Sequence, residues 1–287
     1  MTSRHITVGV DGSVISVRAL DRAAEEAVRH GVALRVLYAV PDRDEAAPVL
    51  RSAASRTRRR HPGLPVETVA VEGGAVHALA RESESADLTV VGRRGSGPLT
   101  GTAFGSVATR LAALVRGPLL VVRGDRPCDL GRDVLLGLAD DTDAEAAAYA
   151  FQEAERRGAT LRVVRSRSPR RGTLHGPPLE PAHSTGRTGQ ERPAREGERG
   201  GDGKGVGGRA VPRYPLTRLG EGHPDVVVDT RTDRSDPADI LLEATREAAV
   251  AVIGVRRRTS VFGPRLGPVA HLLLQRSHCP LVLVPHP

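Results

Sequence analysis

The sequence predicts an α/β protein that consists of two tandem copies of one unit, each built around a parallel sheet. Short runs of β-branched and aliphatic residues alternate with stretches of helical spacing, which is typical of parallel sheets covered by helices. The whole pattern starts again near residue 133, and 287 residues leave room for two domains of ordinary size. The chain has no Trp, three Tyr and three Phe, so Val, Leu, Ile and Ala must fill the core.

The first copy is predicted to contain five strands and four helices. The run 88–91 has the β-branched content of an interior parallel strand, and 103–115 carries apolar residues at helical spacing. Helix 46–60 is strongly basic. In chain order the predicted elements are strand 6–10, helix 14–30, strand 33–40, helix 46–60, strand 65–71, helix 75–85, strand 88–91, helix 103–115 and strand 119–122.

The second copy repeats this order, beginning with strand 133–138, helix 144–157 and strand 160–165. Gly9 matches Gly137 and Gly92 matches Gly254. The interval between matching residues grows by about 35 between these two pairs, which indicates an insertion after the second strand of the second copy. We therefore place the first copy at residues 1–125 and the second copy at residues 126–287.

The insertion lies within residues 166–213, a segment dominated by Arg, Gly, Pro, Ser, Thr and Glu. This composition predicts disorder, and we expect no well-formed helix between the second and third strands of the second copy. The segment is either an RNA-binding or partner-binding tail or a solvated loop. Its glycines and arginines lack a repeated RGG register, which favours the solvated loop.

The net charge of +8 raises the question of a nucleic-acid or membrane partner. The arginines are spread over every predicted helix, and almost no aromatic residues are available for base stacking, so nucleic-acid binding is not favoured. No apolar stretch approaches the length of a membrane span, and no signal peptide is evident, so we expect a cytoplasmic protein without a membrane partner.

The most informative motif runs from Gly92 to Ser106. Gly92 and Gly95 enclose two arginines, and Gly105 follows after nine more residues. The motif lies between a predicted buried strand and a predicted helix, where a glycine-rich turn and free helix amides can cradle phosphate. It is not a Walker A loop, because no Gly-Lys-Ser/Thr follows, and it lacks the spacing of a dinucleotide fingerprint.

The spacing G-x2-G-x9-G-[S/T] resembles that of the ATP-binding type of universal stress protein, and the resemblance extends over nearly the whole chain outside the insertion. It implies two tandem, open, five-stranded parallel sheets with helices on both faces, a Rossmann-like arrangement. It implies a ligand site between strands one and four, where the strand order reverses. It also implies pairing through the last strands, 119–122 and 281–284, in an intramolecular pseudo-dimer or a homodimer.

The resemblance further implies ATP, with Mg²⁺, as the ligand. It assigns the triphosphate to Gly92, Gly95, Gly105 and Ser106, with Val107 as a backbone donor.

Residues outside the glycine motif complete the predicted site. Gly9 and Asp11 end the first strand, and a carboxylate there can accept hydrogen bonds from ribose hydroxyls or help to hold a metal ion that bridges phosphates. Taken alone, Asp11 fits an ordinary turn or helix cap, and its pairing with the glycine motif favours nucleotide contact. Val40 lies where the family's backbone meets adenine, or is simply a strand terminus in the core. Arg93 is either a phosphate ligand or a solvated side chain.

The second copy departs from the motif at three positions. Arg257 replaces the second glycine, Pro268 replaces the hydroxyl residue, and Ala139 stands where the first copy has Asp11. Arginine adds bulk where backbone must touch phosphate, and proline removes an amide donor. We therefore predict one competent site, in the first copy.

No general base, nucleophile or metal cluster accompanies the motif in the sequence, so we predict a binding protein that is not an enzyme. The leading hypothesis is an ATP-binding regulatory or stress-response protein, with the second copy as a structural partner. The alternatives are a weak ATPase, a nucleotide-free signalling scaffold and, less favoured, a basic nucleic-acid-binding protein.

Overall fold

The computed structural model describes most of the chain in eight segments. They are residues 4–93, 107–123, 133–138, 143–166, 214–233, 235–256, 258–260 and 263–286. Within these segments, no helix is long and apolar enough to cross a membrane. Both copies belong to one compact unit, Met1–Ser168 together with Arg213–Pro287.

The first copy alternates strands and helices as predicted. A one-turn 3-10 helix at Arg43–Ala46 precedes α2. The elements are β1 (His5–Gly9), α1 (Val14–His30), β2 (Ala33–Val40), α2 (Ala47–Arg60), β3 (Val66–Glu72), α3 (Ala75–Glu82), β4 (Leu88–Arg93), α4 (Val107–Leu114) and β5 (Leu119–Arg123).

The second copy follows the same order and adds a short hairpin, β10–β11. Its elements are β6 (Asp133–Leu138), α5 (Ala144–Arg157), β7 (Leu161–Ser166), α6 (Tyr214–Gly222), β8 (Val228–Asp233), α7 (Pro237–Ala244), β9 (Ala248–Arg256), β10 (Arg258–Ser260), β11 (Gly263–Arg265), α8 (Pro268–Arg276) and β12 (Leu281–His286).

The matching helices α1 and α5 end in the same way. Gly31 and Gly158 have φ angles of 65° and 57°, and each donates its backbone N–H to carbonyls in the last turn of α1 or α5. Glycine is favoured there because a side chain makes the left-handed conformation costly. At the other end of α1, the Ser13 hydroxyl accepts a hydrogen bond from the Ser16 amide at 3.2 Å.

The strands form one ten-stranded sheet in the order β3-β2-β1-β4-β5-β12-β9-β6-β7-β8. Neighbouring strands are parallel within each copy, and the two halves meet where β5 and β12 pair antiparallel, with Val282 opposite Leu120. The predicted pairing of the last strands therefore occurs inside one chain. Since β5 and β12 both lie in the interior of the sheet, these strands have no free edge for a second chain.

Helices cover both faces of the sheet. The core layer between the sheet and helices α1, α2, α5 and α6 includes Ile6, Val8, Phe151 and Val252. The layer on the other side, against α3, α4, α7 and α8, includes Leu79, Leu111, Leu241 and Leu273. This confirms the predicted α/β class with helices on both faces.

One expectation for the second copy was wrong. A helix, α6, lies between its second and third strands. Leu216 and Leu219 on this helix pack against the core, and His223 just beyond it stacks on Phe151 with ring centroids 5.7 Å apart. The apolar spacing that stabilises α6 begins after the insertion. The predicted disorder of residues 167–213 lies outside the described residues.

Candidate functional site

A cleft opens at the carboxyl ends of β1 and β4, where the strand order of the first copy reverses. Its volume is about 110 Å³. This is the edge at which open parallel sheets bind ligands, because loops and helix N-termini converge there. The lining residues are Gly9, Val10, Asp11, Ser13, Ile15, Ser16, Leu37, Ala39, Ala75, Leu79, Val91, Gly92 and Val107.

Three helices begin at this cleft. Ser13 is the N-cap of α1, Ala75 is the first residue of α3, and Val107 is the first residue of α4. None of the three helices has an acidic residue in its first turn. The amide groups and positive dipole ends of these helices are therefore not neutralised by a first-turn carboxylate, an arrangement that favours an anionic ligand.

Asp11 is exposed at the rim of the cleft. Its Oδ1 atom accepts a hydrogen bond from the Ser13 amide at 3.0 Å, the geometry of an Asx turn. Gly12 between them has a φ of 76°, a conformation that suits glycine. Asp11 therefore stabilises the turn, and the same turn places its carboxylate at the cleft.

Gly9 and Gly92 serve close packing around the cleft. A Cβ atom on Gly92 would lie 2.8 Å from the carbonyl oxygen of Ile15, in the first turn of α1. A Cβ atom on Gly9 would lie 2.9 Å from Leu79 Cδ1. Both glycines allow helices to approach the strand ends, so they shape the cleft wall whether or not a ligand binds.

Of the other predicted site residues, one lines the cleft and one is buried away from the lining. Val107 lines the cleft and is 42% exposed. Val40 is buried and is not among the lining residues, and its carbonyl oxygen accepts a hydrogen bond from Gly73 at 3.0 Å. The remaining predicted residues, Gly95, Gly105 and Ser106, lie outside the described residues.

Arg93 points away from the cleft. Its guanidinium is buried and donates a hydrogen bond to the backbone carbonyl of Leu274 in α8. Burial lowers the pKa of Arg93, and the charge of neighbouring Arg123 lowers it further. We therefore leave Arg93 out of the candidate phosphate contacts, although the sequence had suggested either a phosphate ligand or a solvated side chain.

The corresponding edge of the second copy is built differently. A Cβ atom on Gly254 would lie 2.7 Å from Asp143 Oδ1, and the same carboxylate oxygen lies 3.3 Å from Nε2 of His286. Both Asp143 and His286 are buried. The hairpin β10–β11 occupies the sequence that matches the interior of the glycine loop, and Pro268 begins α8. Ala139 and Arg257 lie outside the described residues.

A second group of ionisable residues joins the two copies, and we did not predict it from the sequence. We call it the inter-copy charge cluster. Arg157 Nη2 lies 2.6 Å from Glu26 Oε1 and also contacts Glu153. His30 Nε2 lies 3.6 Å from Glu153 Oε2. The cluster comprises Arg22, Glu26, Arg29 and His30 of α1 with Glu153, Arg156 and Arg157 of α5.

The inter-copy charge cluster is poorly suited to a metal ion. Ligand atoms of Glu26, His30 and Glu153 lie within 4.8 Å of one another, which is compatible with a metal site. However, every carboxylate oxygen of the two glutamates already contacts an arginine. A cation would therefore face several guanidinium groups, so we interpret the cluster as an ion-pair network between α1 and α5.

The cluster has a marked effect on one carboxyl group. Burial raises the pKa of Glu153, but the His30 imidazole and the Arg157 guanidinium outweigh burial and lower it from 4.5 to about 2. The sequence contains a signal of this cluster, because the pair Glu26 and Arg29 recurs as Glu153 and Arg156 at matching positions of the repeat. Only the packing of α1 against α5 shows that the two pairs meet.

Comparison with known proteins decides the family. The sequence profile of the "Universal stress protein family" matches residues 2–123 and again 132–285. The chain belongs to the universal stress protein family. The double match shows a tandem universal stress protein and confirms the resemblance that the glycine motif suggested.

Relatives of this universal stress protein share its tandem length. A universal stress protein of Mycolicibacterium smegmatis is 30% identical, over 99% of this chain and 97% of the relative. Universal stress protein Rv1996 of Mycobacterium tuberculosis is 28% identical, over 98% of this chain and 95% of the relative. The crystal structure of a universal stress protein from Archaeoglobus fulgidus matches with a TM-score of 0.63 at 16% identity, covering 99% of both chains, which shows the shared fold.

Proposed function

We propose that the first copy binds ATP at the cleft between β1 and β4 and that the protein acts as a nucleotide-responsive regulatory protein in the stress response. The observation that carries the proposal is the convergence of three helix N-termini on one cleft at the switch point of the sheet. The spacing of the glycine motif and membership of the universal stress protein family support ATP as the nucleotide.

The residues that line the cleft suit a nucleotide chemically. Helix amides at Ala75 and Val107 can donate to phosphate oxygens, and the positive dipole end of α1 adds to the attraction. The Asp11 carboxylate can accept a hydrogen bond from a ribose hydroxyl. A bound Mg²⁺ would neutralise phosphate charge, and one carboxylate fits this role because magnesium is usually held by one or two carboxylates plus the phosphates.

Binding is proposed in preference to catalysis. Among the described residues that line the cleft, Asp11 carries the only ionisable side chain. A positioned base or nucleophile with an orienting partner is the usual requirement for efficient hydrolysis. The protein would then act through differential affinity, because ATP stabilises whichever arrangement of the two copies binds it better. A weak ATPase remains the second candidate, and turnover that is lost in Asp11→Ala would favour it.

Calorimetry with the full chain tests the proposal. We expect Mg-ATP to bind the wild type at one site and to bind Asp11→Ala at least about tenfold more weakly, because a hydrogen bond to a charged group contributes about 1.5–3 kcal/mol. Asp233→Ala is a matched control, since Asp233 forms the same Asx turn, with a hydrogen bond of 2.9 Å from the Ser235 amide, but is not among the residues lining the cleft. Undetectable binding by the wild type at millimolar ATP would refute the proposal.

A further inference from the structure

Two arginines of the first copy contact one helix of the second copy. Arg93 and Arg123 are register partners at the carboxyl ends of β4 and β5. Arg93 donates to the carbonyl of Leu274, and Arg123 donates to the carbonyl of Gln275 at 2.8 Å. Both carbonyls lie in the last turn of α8. We call this pair of contacts the α8 clamp.

The chemistry of a helix end explains the attraction. The last four carbonyls of a helix have no partner within the helix, and they carry the negative end of its dipole. Cationic donors at this end are therefore stabilising. Arg93 is only 9% exposed, and within the described residues its Nε atom has no hydrogen-bond partner. The clamp thus holds a buried positive charge that pairs with carbonyl dipoles.

The α8 clamp is one-sided. At the positions of the second copy that match Arg93 and Arg123, the sequence has Val255 and Pro285, neither of which has a side-chain donor. The second copy therefore has no equivalent clamp from these positions onto α4. The clamp therefore makes the two copies unequal: the copy that carries the cleft supplies the arginines, and the other copy supplies the helix.

The clamp is directly connected to the cleft. Arg93 follows Gly92, which lines the cleft and packs against Ile15 of α1. Because side chains alternate along a strand, Gly92 faces α1 on one side of the sheet and Arg93 faces α8 on the other. A ligand in the cleft that restrains the end of β4 therefore also restrains the backbone that positions Arg93.

We propose that Arg93 is a positioning residue that couples occupancy of the first-copy cleft to the docking of α8. This inference rests on the proposed function. Phosphate bound at the end of β4 adds negative charge on the other side of the strand from Arg93. This charge offsets the repulsion between buried Arg93 and half-buried Arg123 and so strengthens the clamp. Because coupling between sites is reciprocal, an intact clamp strengthens nucleotide binding by the same factor.

Hydrogen exchange of the full chain, measured with and without saturating Mg-ATP, tests this coupling. In the wild type we expect ATP to slow exchange across α8 and β12 about fivefold, a typical coupling between two sites. In Arg93→Met, ATP should still protect peptides at the cleft, from β1 and the start of α1, but should no longer protect α8. Calorimetry should show ATP affinity in Arg93→Met weakened by the same factor as the lost protection.

Three further variants separate coupling from a general loss of structure or a direct phosphate contact. Arg93→Lys retains a cationic donor and should restore part of the protection of α8. Arg123→Gln weakens the clamp from β5, which does not line the cleft, and should also reduce the protection. Arg116→Gln is the control, because Arg116 is 61% exposed and pairs with Glu84 at the surface.

The outcomes are distinguishable. If the wild type binds ATP but α8 exchange is unchanged or faster with ATP, the coupling is wrong and the proposed function stands. The same holds if Arg93→Met retains the full ATP-dependent protection of α8. If calorimetry detects no ATP binding by the wild type, both proposals are wrong.

Discussion

Replacement of Glu153 by glutamine should change both the stability of the protein and its dependence on pH. Glu153 lies in the inter-copy charge cluster, where it is 1% exposed and contacts Arg156 and Arg157 of α5. The glutamine keeps the shape of the side chain but removes the charge. The arginines would then be left with Glu26 as the one carboxylate of the cluster, in a buried setting where loss of one partner is costly.

The magnitude follows from the pKa. The Glu153 pKa is lowered from 4.5 to about 2 in the folded protein. A shift of this size corresponds to about 3 kcal/mol of folding free energy. Because the folded-state pKa is the lower one, this contribution is present above pH 4.5 and is lost as the pH falls toward 2. By pH 3 about 2 kcal/mol of it should be gone.

Urea unfolding of the wild type and of Glu153→Gln across the pH range 7 to 3 measures this effect. We expect the variant to be less stable by about 3 kcal/mol at pH 7, with the two curves converging as the pH falls. Glu243→Gln makes the same change at a side chain that is 74% exposed and should cost less than about 1 kcal/mol at any pH. Parallel curves, or a loss below about 1 kcal/mol at pH 7, would refute the reasoning.

Two further predictions concern backbone positions. Val107→Pro removes one amide at the start of α4, where proline is tolerated. Calorimetry should show ATP affinity reduced about tenfold, and the melting temperature should change little. Unchanged affinity would exclude this amide as a phosphate donor. Gly31→Ala and Gly158→Ala should each cost about 1 kcal/mol in urea unfolding, because both glycines have positive φ and nothing lies within 4 Å of the added Cβ. Gly63→Ala, with the same free space and no positive φ, should be neutral, and an equal loss there would contradict the conformational explanation.

Much of the fold was predictable because the repeat has strong local signals. Helices Val14–His30 and Ala144–Arg157 and strand Ala33–Val40 begin and end where the sequence placed them. Clear apolar spacing and a terminal glycine define such elements locally. Helix α6 was missed because it follows a long polar insertion. Its two leucines stabilise the helix through contact with the core, which the local sequence does not show.

The site was predictable only in part. Asp11, Gly92 and Val107 are distant in sequence, and they line one cleft because parallel strands end at the same edge of the sheet. Arg93 shows the limit of the motif. Its neighbours in sequence suggest phosphate, but its side chain lies on the opposite face of β4 and reaches α8, which is 181 residues away in the chain. A motif indicates which residues follow one another along the backbone. The contacts of a side chain depend on what packs beside the strand.

Four features could be predicted without the structure: the α/β class, the tandem repeat, the membership of the universal stress protein family and the asymmetry between an intact and an altered glycine motif. These features depend on local spacing and on residue types, which can be read without knowledge of long-range contacts. Knowledge of the packed structure is needed to see that β5 and β12 join both copies in one sheet, that Arg157 of α5 contacts Glu26 of α1, and that Arg93 holds α8. Each of these depends on the relative position of the two copies, and no local pattern specifies it.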